Sequence, residues 1–292
     1  MIKPSAIPVR SGAKKGTALL LTFIILTTLT AVVIAFLYMS SLRLKGSGYD
    51  MSGSQALWLA EAGLQKAVWN LKTPVASGGQ GEDWVSAGTT ENLGSGSYTM
   101  VVSRWDFALA ANGASASSSS AQGANVAANA IDGNDATHWE SVNQPTVANP
   151  EEIIIVFPYT LIINKVRFLI SAGSDMAPRN YTWEVSTNGV AYTIVANVNN
   201  NANPDVTDTF TAATNVNYLK LKVTSVGVVV PPRGPPGSPS VRIATLETIG
   251  TKITSTGSVH QISRKITQTV VADDATATAY NQKDWNEIVP AI

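Results

Sequence analysis

From Thr17 to Leu42 the chain carries no charged side chain, and this run constrains the fold more than any other stretch. As a helix at ~1.5 Å per residue, Ala18 to Met39 would reach ~33 Å, enough to cross a hydrocarbon core of ~30 Å. Lys3, Arg10, Lys14 and Lys15 precede it, so the positive-inside bias leaves the short N-terminus in the cytoplasm and the rest across the membrane. No small-residue cleavage site follows Tyr38, as one would after a secretory signal. Instead Leu57, Ala60, Leu64, Ala67, Val68 and Leu71 recur at helical spacing, with Gln55, Lys66 and Asn70 on other faces. That pattern predicts a helix half packed on a globular part.

Beyond the helix, Val, Thr, Ser, Asn and Gly dominate and the pattern reads as mostly β. Gly94 to Arg104 contains an alternating strand, with Tyr98, Met100 and Val102 on one face. Near the end, Lys252 to Ser255 and Ile262 to Val271 read as two more strands joined at Thr256-Gly257-Ser258. The formal net charge is zero and no basic patch stands out, which argues against a nucleic-acid partner. Without cysteine there is no disulfide framework, thiol nucleophile or thiolate zinc site. His138 and His260 are the two histidines, far apart and with no paired nucleophile or base, so no enzyme is expected.

The N-terminal part resembles the class III leader and helix of type IV pilins and type II secretion pseudopilins. The carriers are Lys14-Lys15-Gly16, the uninterrupted apolar run, and Ala60-Glu61-Ala62-Gly63, which is similar to a signature of PilX/GspK-like minor pilins. Ile253-Thr254-Ser255-Thr256-Gly257 and Ser263-Arg264-Lys265-Ile266 are similar to two strands of their heads. The resemblance implies cleavage by a prepilin peptidase between Gly16 and Thr17, methylation of the new amine, and partnership with other pilin subunits through the N-terminal helix. It implies an inner-membrane protein that becomes part of a cell-surface filament. Where major pilins have glutamate this chain has Leu21, and no acid occurs before Asp50, which within this family implies a subunit at the filament tip. The same residues are compatible with a non-assembling, inner-membrane-anchored periplasmic glycan-binding protein that keeps Met1.

About 145 residues separate the head strands, so a second domain interrupts the first. Asn129 to Trp139 (NAIDGNDATHW), Tyr181 to Gly189 (YTWEVSTNG), Tyr218 to Val223 (YLKLKV) and Arg242 to Glu247 (RIATLE) resemble, in order, the blocks of the discoidin domain, also called coagulation factor 5/8 type C. Alternation at Tyr181, Trp183 and Val185, then Asn188-Gly189 as a tight turn, reads independently as a hairpin. The expected fold is α+β: a long N-terminal transmembrane helix packed on a small antiparallel sheet, with an inserted all-β jelly-roll sandwich. The expected organisation is leader 1–16, helix and first head part 17–106, insert 107–250, and second head part 251–292.

Asp132, Asp135 and Thr137 offer hard oxygens in one turn-rich loop, a donor type calcium favours. The resemblance implies a structural calcium completed by Glu247 on the last strand. A plain Asp-Gly-Asn turn with Thr137 as a cap fits the same residues. Trp139 reads as core packing. The resemblance also implies adhesion to a glycan or other surface ligand through loops at one end. Those loops are Ser171 to Asn180, Asn197 to Asp205 and the proline-rich Gly227 to Ser240, with Arg179 and Arg233 as the cations they offer. The proline-rich loop reads equally as a solvated spacer.

Overall fold

The apolar run and the periodic segment form one unbroken helix, α1 (Lys14–Lys72). Nothing in it breaks the backbone, and Pro74 stops it by disfavouring helical geometry at Thr73. The threonine hydroxyls of the apolar part turn inward: Thr22 donates to the Leu19 carbonyl at 2.8 Å, Thr27 to Ile24 at 2.9 Å and Thr30 to Leu26 at 2.7 Å. These threonine hydroxyls are therefore satisfied within the helix and need no partner from an apolar solvent, and α1 is long and apolar enough to cross a membrane. The computed structural model describes residues 14–172, 175–228 and 239–271. The chain divides into two compact units between Gln55 and Ala56.

In the second unit, Ala56, Leu59, Ala60, Leu64, Ala67, Val68 and Leu71 are buried. The stripe also passes through Ala56 and Leu59, while the expected Leu57 is half-buried and packs at its margin. It covers a head sheet of four antiparallel strands in the order β1 (Ser86–Leu93), β2 (Gly96–Asp106), β9 (Arg242–Val259), β10 (Ile262–Val270). Tyr98, Met100, Val102, Ile253, Val259, Ile266 and Val270 supply the other half of this core. Contact is closest at two glycines. A Cβ on Gly257 would lie 2.0 Å from the Ala56 carbonyl oxygen and 2.5 Å from the Ala60 nitrogen, and one on Gly63 would lie 2.4 Å from Ser255 Oγ. Gly257 is thus an in-strand site of helix contact and not the expected turn. β9 runs straight through Thr256-Gly257-Ser258 and the chain reverses only after Val259, where His260 has φ of 55°.

Between β2 and β9 the chain builds a second antiparallel body. Its remaining strands are β3 (Ser115–Ser118), β4 (Trp139–Glu140), β5 (Glu151–Ile170), β6 (Met176–Ser186), β7 (Thr193–Val198) and β8 (Asp205–Val228). The long strands β5 and β8 pair twice. Glu151–Val156 faces Tyr218–Val223, flanked by β3 and β6, whereas Lys165–Leu169 faces Asp205–Thr209, flanked by β9. Register shifts between the two stretches mark where both strands bend. The enclosed core includes Trp139, Trp183, Tyr181, Phe168, Ile153, Leu219, Leu221 and Ile243, all under 2% exposed. Tyr181 and Trp183 both donate to Asp208 Oδ2, at 2.9 and 2.7 Å, which satisfies the polar tips of two buried aromatics. The β6–β7 turn is wider than a two-residue hairpin: Gly189 takes φ of 75°, and Asn188 Oδ1 accepts from the Val190 and Ala191 amides.

The two bodies share β9. Its first half pairs with β5 and its second with β2 and β10. Where the chain leaves the head, Asp106 lies opposite Ile249, and Asp106 Oδ1 accepts from the Ala108 and Thr248 amides, both at 2.8 Å. Burial pushes its carboxyl up to about 6 despite those bonds, and nearby Glu247 adds to the rise.

The glycine contacts generate a test. Gly257→Ala should destabilise the head by about 1–3 kcal/mol, because neither helix backbone atom can yield cheaply. Gly48→Ala, where a Cβ meets nothing within 4 Å, should be neutral or stabilising by about 1 kcal/mol. Thermal unfolding of both variants measures the difference.

Candidate functional site

Two of the three unusual loops, Ser171 to Asn180 and Asn197 to Asp205, meet at one end of the inserted body, and residues 229–238 of the third lie outside the described residues. The Ile170 amide donates to the Pro204 carbonyl at 2.9 Å, the Asn201 amide to Arg179 O at 2.9 Å, and the Ser171 amide to Arg242 O at 3.2 Å. Asparagine side chains complete the join, with Asn180 Oδ1 accepting from the Asn200 amide at 2.9 Å and Asn201 Nδ2 donating to Pro178 O at 2.9 Å. Asn200 sits at φ of 59°, a left-handed conformation that asparagine tolerates better than most residues. The Asn-rich composition of this segment therefore serves backbone geometry and loop-to-loop bonding.

Arg179 is exposed and loosely held. Its Nε and Nη2 reach Asn200 Oδ1 at 3.4 and 3.3 Å, beyond the usual 2.7–3.2 Å range. Its stem lies over Gly227, where an added Cβ would stand 2.9 Å from Arg179 Cδ. A guanidinium so presented, with an amide beside it, can donate several hydrogen bonds to a hydroxylated or anionic ligand. The other expected contact, Arg233, lies outside the described residues, as do Met1 to Ala13 of the expected leader.

Behind these loops stands a buried carboxylate that sequence reasoning missed. Glu140, 5% exposed, accepts at Oε1 from Ser240 Oγ (2.9 Å) and from Arg242 Nε (2.9 Å), with Arg242 Nη2 at 2.8 Å. Its Oε2 accepts from Asn125 Nδ2 at 3.0 Å and faces His138 Nε2 at 3.6 Å. Burial alone would raise its pKa, but the bonds from Ser240 and Arg242 outweigh burial and hold it below the usual carboxylate range. This knot fixes the segment from Ser240 to Arg242, where the proline-rich loop rejoins the sheet. The sequence signal was slight: Glu140 follows Trp139, which is fully buried and donates to Ser120 O at 2.8 Å, so its neighbour starts within reach of the interior. Trp139 itself is core, as expected.

The expected calcium ligands do not converge. Asp132 accepts from the Asn134 amide at 2.8 Å and from Thr137 Oγ1 at 2.7 Å, and Asp135 Oδ1 accepts from Thr245 Oγ1. The β9 side chain that meets the loop is therefore Thr245. Glu247 lies two residues on, about 7 Å along the strand, and Arg104 Nη2 (2.6 Å) and Arg167 Nη1 (3.2 Å) hold it. Two guanidinium groups on one carboxylate repel a dication. Among the described residues no group of three or more His, Cys, Asp or Glu side chains stands together to hold a metal. The loop's side chains supply two carboxylates and one hydroxyl, so a calcium ion there would take the rest of its roughly six to eight oxygens from backbone carbonyls or water. The four expected side chains thus do not stand together as one shell, and hydrogen bonds within the loop maintain its turn.

Residues 113–231 match the family described as F5/8 type C domain, and this part of the chain is such a domain. Among solved structures, the chain is similar to chitosan-binding module 1 of a chitosanase/glucanase from Paenibacillus sp. IK-5 (25% identity, 50% of this chain and 98% of that one, TM-score 0.39). It is also similar to the family 32 carbohydrate-binding module of Clostridium perfringens NanJ, solved with galactose (18%, 50% and 98%, TM-score 0.40). A third, a C. perfringens module solved with GalNAc-β-1,3-galactose, shows 20% identity over 47% of this chain and 94% of its own (TM-score 0.38). No curated protein matches the chain.

Glu140→Ala should cost about 3 kcal/mol, since it leaves the Arg242 guanidinium half-buried without its carboxylate. Because the folded pKa of Glu140 is lowered, its contribution is present above the unfolded carboxylate pKa and fades as pH falls through the folded value. The variant's deficit in melting temperature should accordingly shrink in acid. For Glu247, replacement by glutamine should lower stability by about 1 kcal/mol, the value being modest because Arg104 is half exposed. That loss should be the same in calcium and in chelator, as read by paired thermal melts.

Proposed function

We propose that this chain is a minor, tip-located subunit of a type IV pilus or a related type II secretion pseudopilus, and that its F5/8 type C domain displays a glycan-binding surface. The observation that carries the reading is the construction of α1 with the head. One helix joins a charge-free, exposed apolar run to a stripe that closes on a four-stranded sheet through Gly63 and Gly257. Gly63 ends the Ala60-Glu61-Ala62-Gly63 segment and Gly257 ends Ile253-Thr254-Ser255-Thr256-Gly257. Two of the segments that resemble minor pilins thus meet, and their glycines have a steric reason to be there.

Exported position follows from the same reading: the apolar run anchors the chain in the inner membrane before assembly, and the domain lies outside the cytoplasm. Leu21 is consistent with a tip position, where an unpaired carboxylate in lipid would cost several kcal/mol. Binding is assigned to the Arg179–Asn200 end of the domain, where the loops converge and a guanidinium stands exposed and weakly held. Its partners in this reading are other pilin subunits, a prepilin peptidase and a glycan, and it acts without catalysis.

Two measurements test it. The mature protein should begin at Thr17, and a Gly16 variant that blocks cleavage should stay full-length in the membrane and be absent from sheared filaments, both read by mass spectrometry. Uncleaved protein in filaments, or mature protein that keeps Met1, overturns assembly by this route. On an array of immobilised glycans the full chain should bind, and Arg179→Ala should weaken binding tenfold or more, about what loss of a charge-assisted hydrogen bond produces. Unchanged binding by that variant removes the loop end as the contact surface.

A further inference from the structure

Away from the loop end, the head and the inserted domain enclose a cleft of about 450 Å³, within the roughly 300–1,000 Å³ of small-molecule sites. Three separate parts of the chain form it. The segment after α1 contributes Glu82, Asp83 and Trp84, the head contributes Arg104 and Thr251, and the inserted domain contributes Lys165 and Thr207. Lys165 stands five residues before the end of β5, so roughly 17 Å along the strand from the loops around Arg179.

The first wall is fixed at both ends. The Asn70 carbonyl at the end of α1 accepts from the Gln80 and Gly81 amides at 2.8 and 3.0 Å, and Lys165 Nζ reaches Glu82 Oε1 at 2.9 Å and Asp83 Oδ1 at 3.3 Å. The Lys165 side chain is only 14% exposed but Glu82 and Asp83 face solvent, so the contact ties the segment to the domain through one sheltered cation. Trp84 packs against the head core and also lines the cleft. Arg104 spends one donor on Glu247, and its other guanidinium N–H groups meet no acceptor among the described residues. Thr207 and Val85 are exposed around it.

We infer that this junction cleft is a second binding site, for a neutral saccharide, distinct from the Arg179 end. The lining offers what a sugar ring takes: an indole against which apolar C–H faces pack, and donors and acceptors side by side for neighbouring hydroxyls. Two cations, Arg104 and Lys165, are balanced by two carboxylates, Glu82 and Asp83, so no net charge selects an anion or a cation. The site exists only because the domain is seated in this head, and it stands independently of the assembly reading. A glycan held here and at the loop end would be gripped at two points on one chain, which raises avidity without any new contact at either point.

The test uses the detergent-extracted full chain titrated calorimetrically with lactose, cellobiose and N,N′-diacetylchitobiose. At least one of the three should bind wild type and Arg179→Ala alike. Thr207→Trp, which fills the cleft from an exposed strand position, should weaken that binding tenfold or more, and Trp84→Phe should leave it largely intact. Trp84→Ala should abolish it, with the melting temperature recorded to separate loss of fold from loss of site. Binding lost in Arg179→Ala but kept in Thr207→Trp overturns the cleft while sustaining the loop end. Failure of all three sugars to bind Arg179→Ala overturns the saccharide assignment even where the glycan array is positive.

Discussion

Everything in the second unit depends on β9. Over Arg242–Val259 it is at once the partner of β5 in the inserted domain and the central strand of the head, bonded on either side to β2 and β10. No linker separates the two bodies. The other crossing is equally short, since β2 pairs with β9 down to Asp106 opposite Ile249 and the Phe107 amide still donates to Thr248 O. A domain joined through two adjacent, hydrogen-bonded strands cannot swing as one on a flexible tether does, so its loops are held at a set orientation to the head.

Charge reinforces the seam. Arg167 forms a bidentate pair with Asp205, both bonds at 2.7 Å, and reaches Glu247, which Arg104 of the head also holds. The first wall of the junction cleft is tied by Lys165 to Glu82 and Asp83. Each exposed pair is worth little alone, but together they line the boundary between the bodies with partners from both. They also explain why Glu247 is not available to a metal: its neighbours are guanidinium groups and the loop it was expected to serve meets Thr245 instead.

Helix and sheet meet under a different constraint, steric closeness. Gly63 and Gly257 remove the two side chains that would hold α1 away from β9, and the flanking residues Leu59, Ala60 and Leu64 then reach the sheet core. Gly257 read as a turn residue in the sequence because glycine between Thr and Ser is the ordinary mark of a loop. Only the presence of the helix backbone at 2.0 Å from its missing Cβ shows that the same glycine is there for contact.

The sequence by itself determined the local and periodic features: one long apolar helix continuing as an amphipathic stripe, alternating strands such as Tyr98–Val102 and Tyr181–Val185, and blocks that identify an F5/8 type C domain between two halves of a smaller sheet. These are legible because periodicity and composition act over neighbouring residues. What tertiary structure alone decided is which distant side chains meet. Glu140 finds Arg242 about a hundred positions away, Glu247 is claimed by Arg104 and Arg167, Thr245 rather than Glu247 faces Asp135, and Trp84 comes to line a cleft with Lys165. A carboxylate carries no mark in sequence of whether its partner will be a guanidinium, a hydroxyl or a metal ion. That depends on strand register, and in β9 the bulge opposite Leu169 and Ile170 sets which side chain points at the loop.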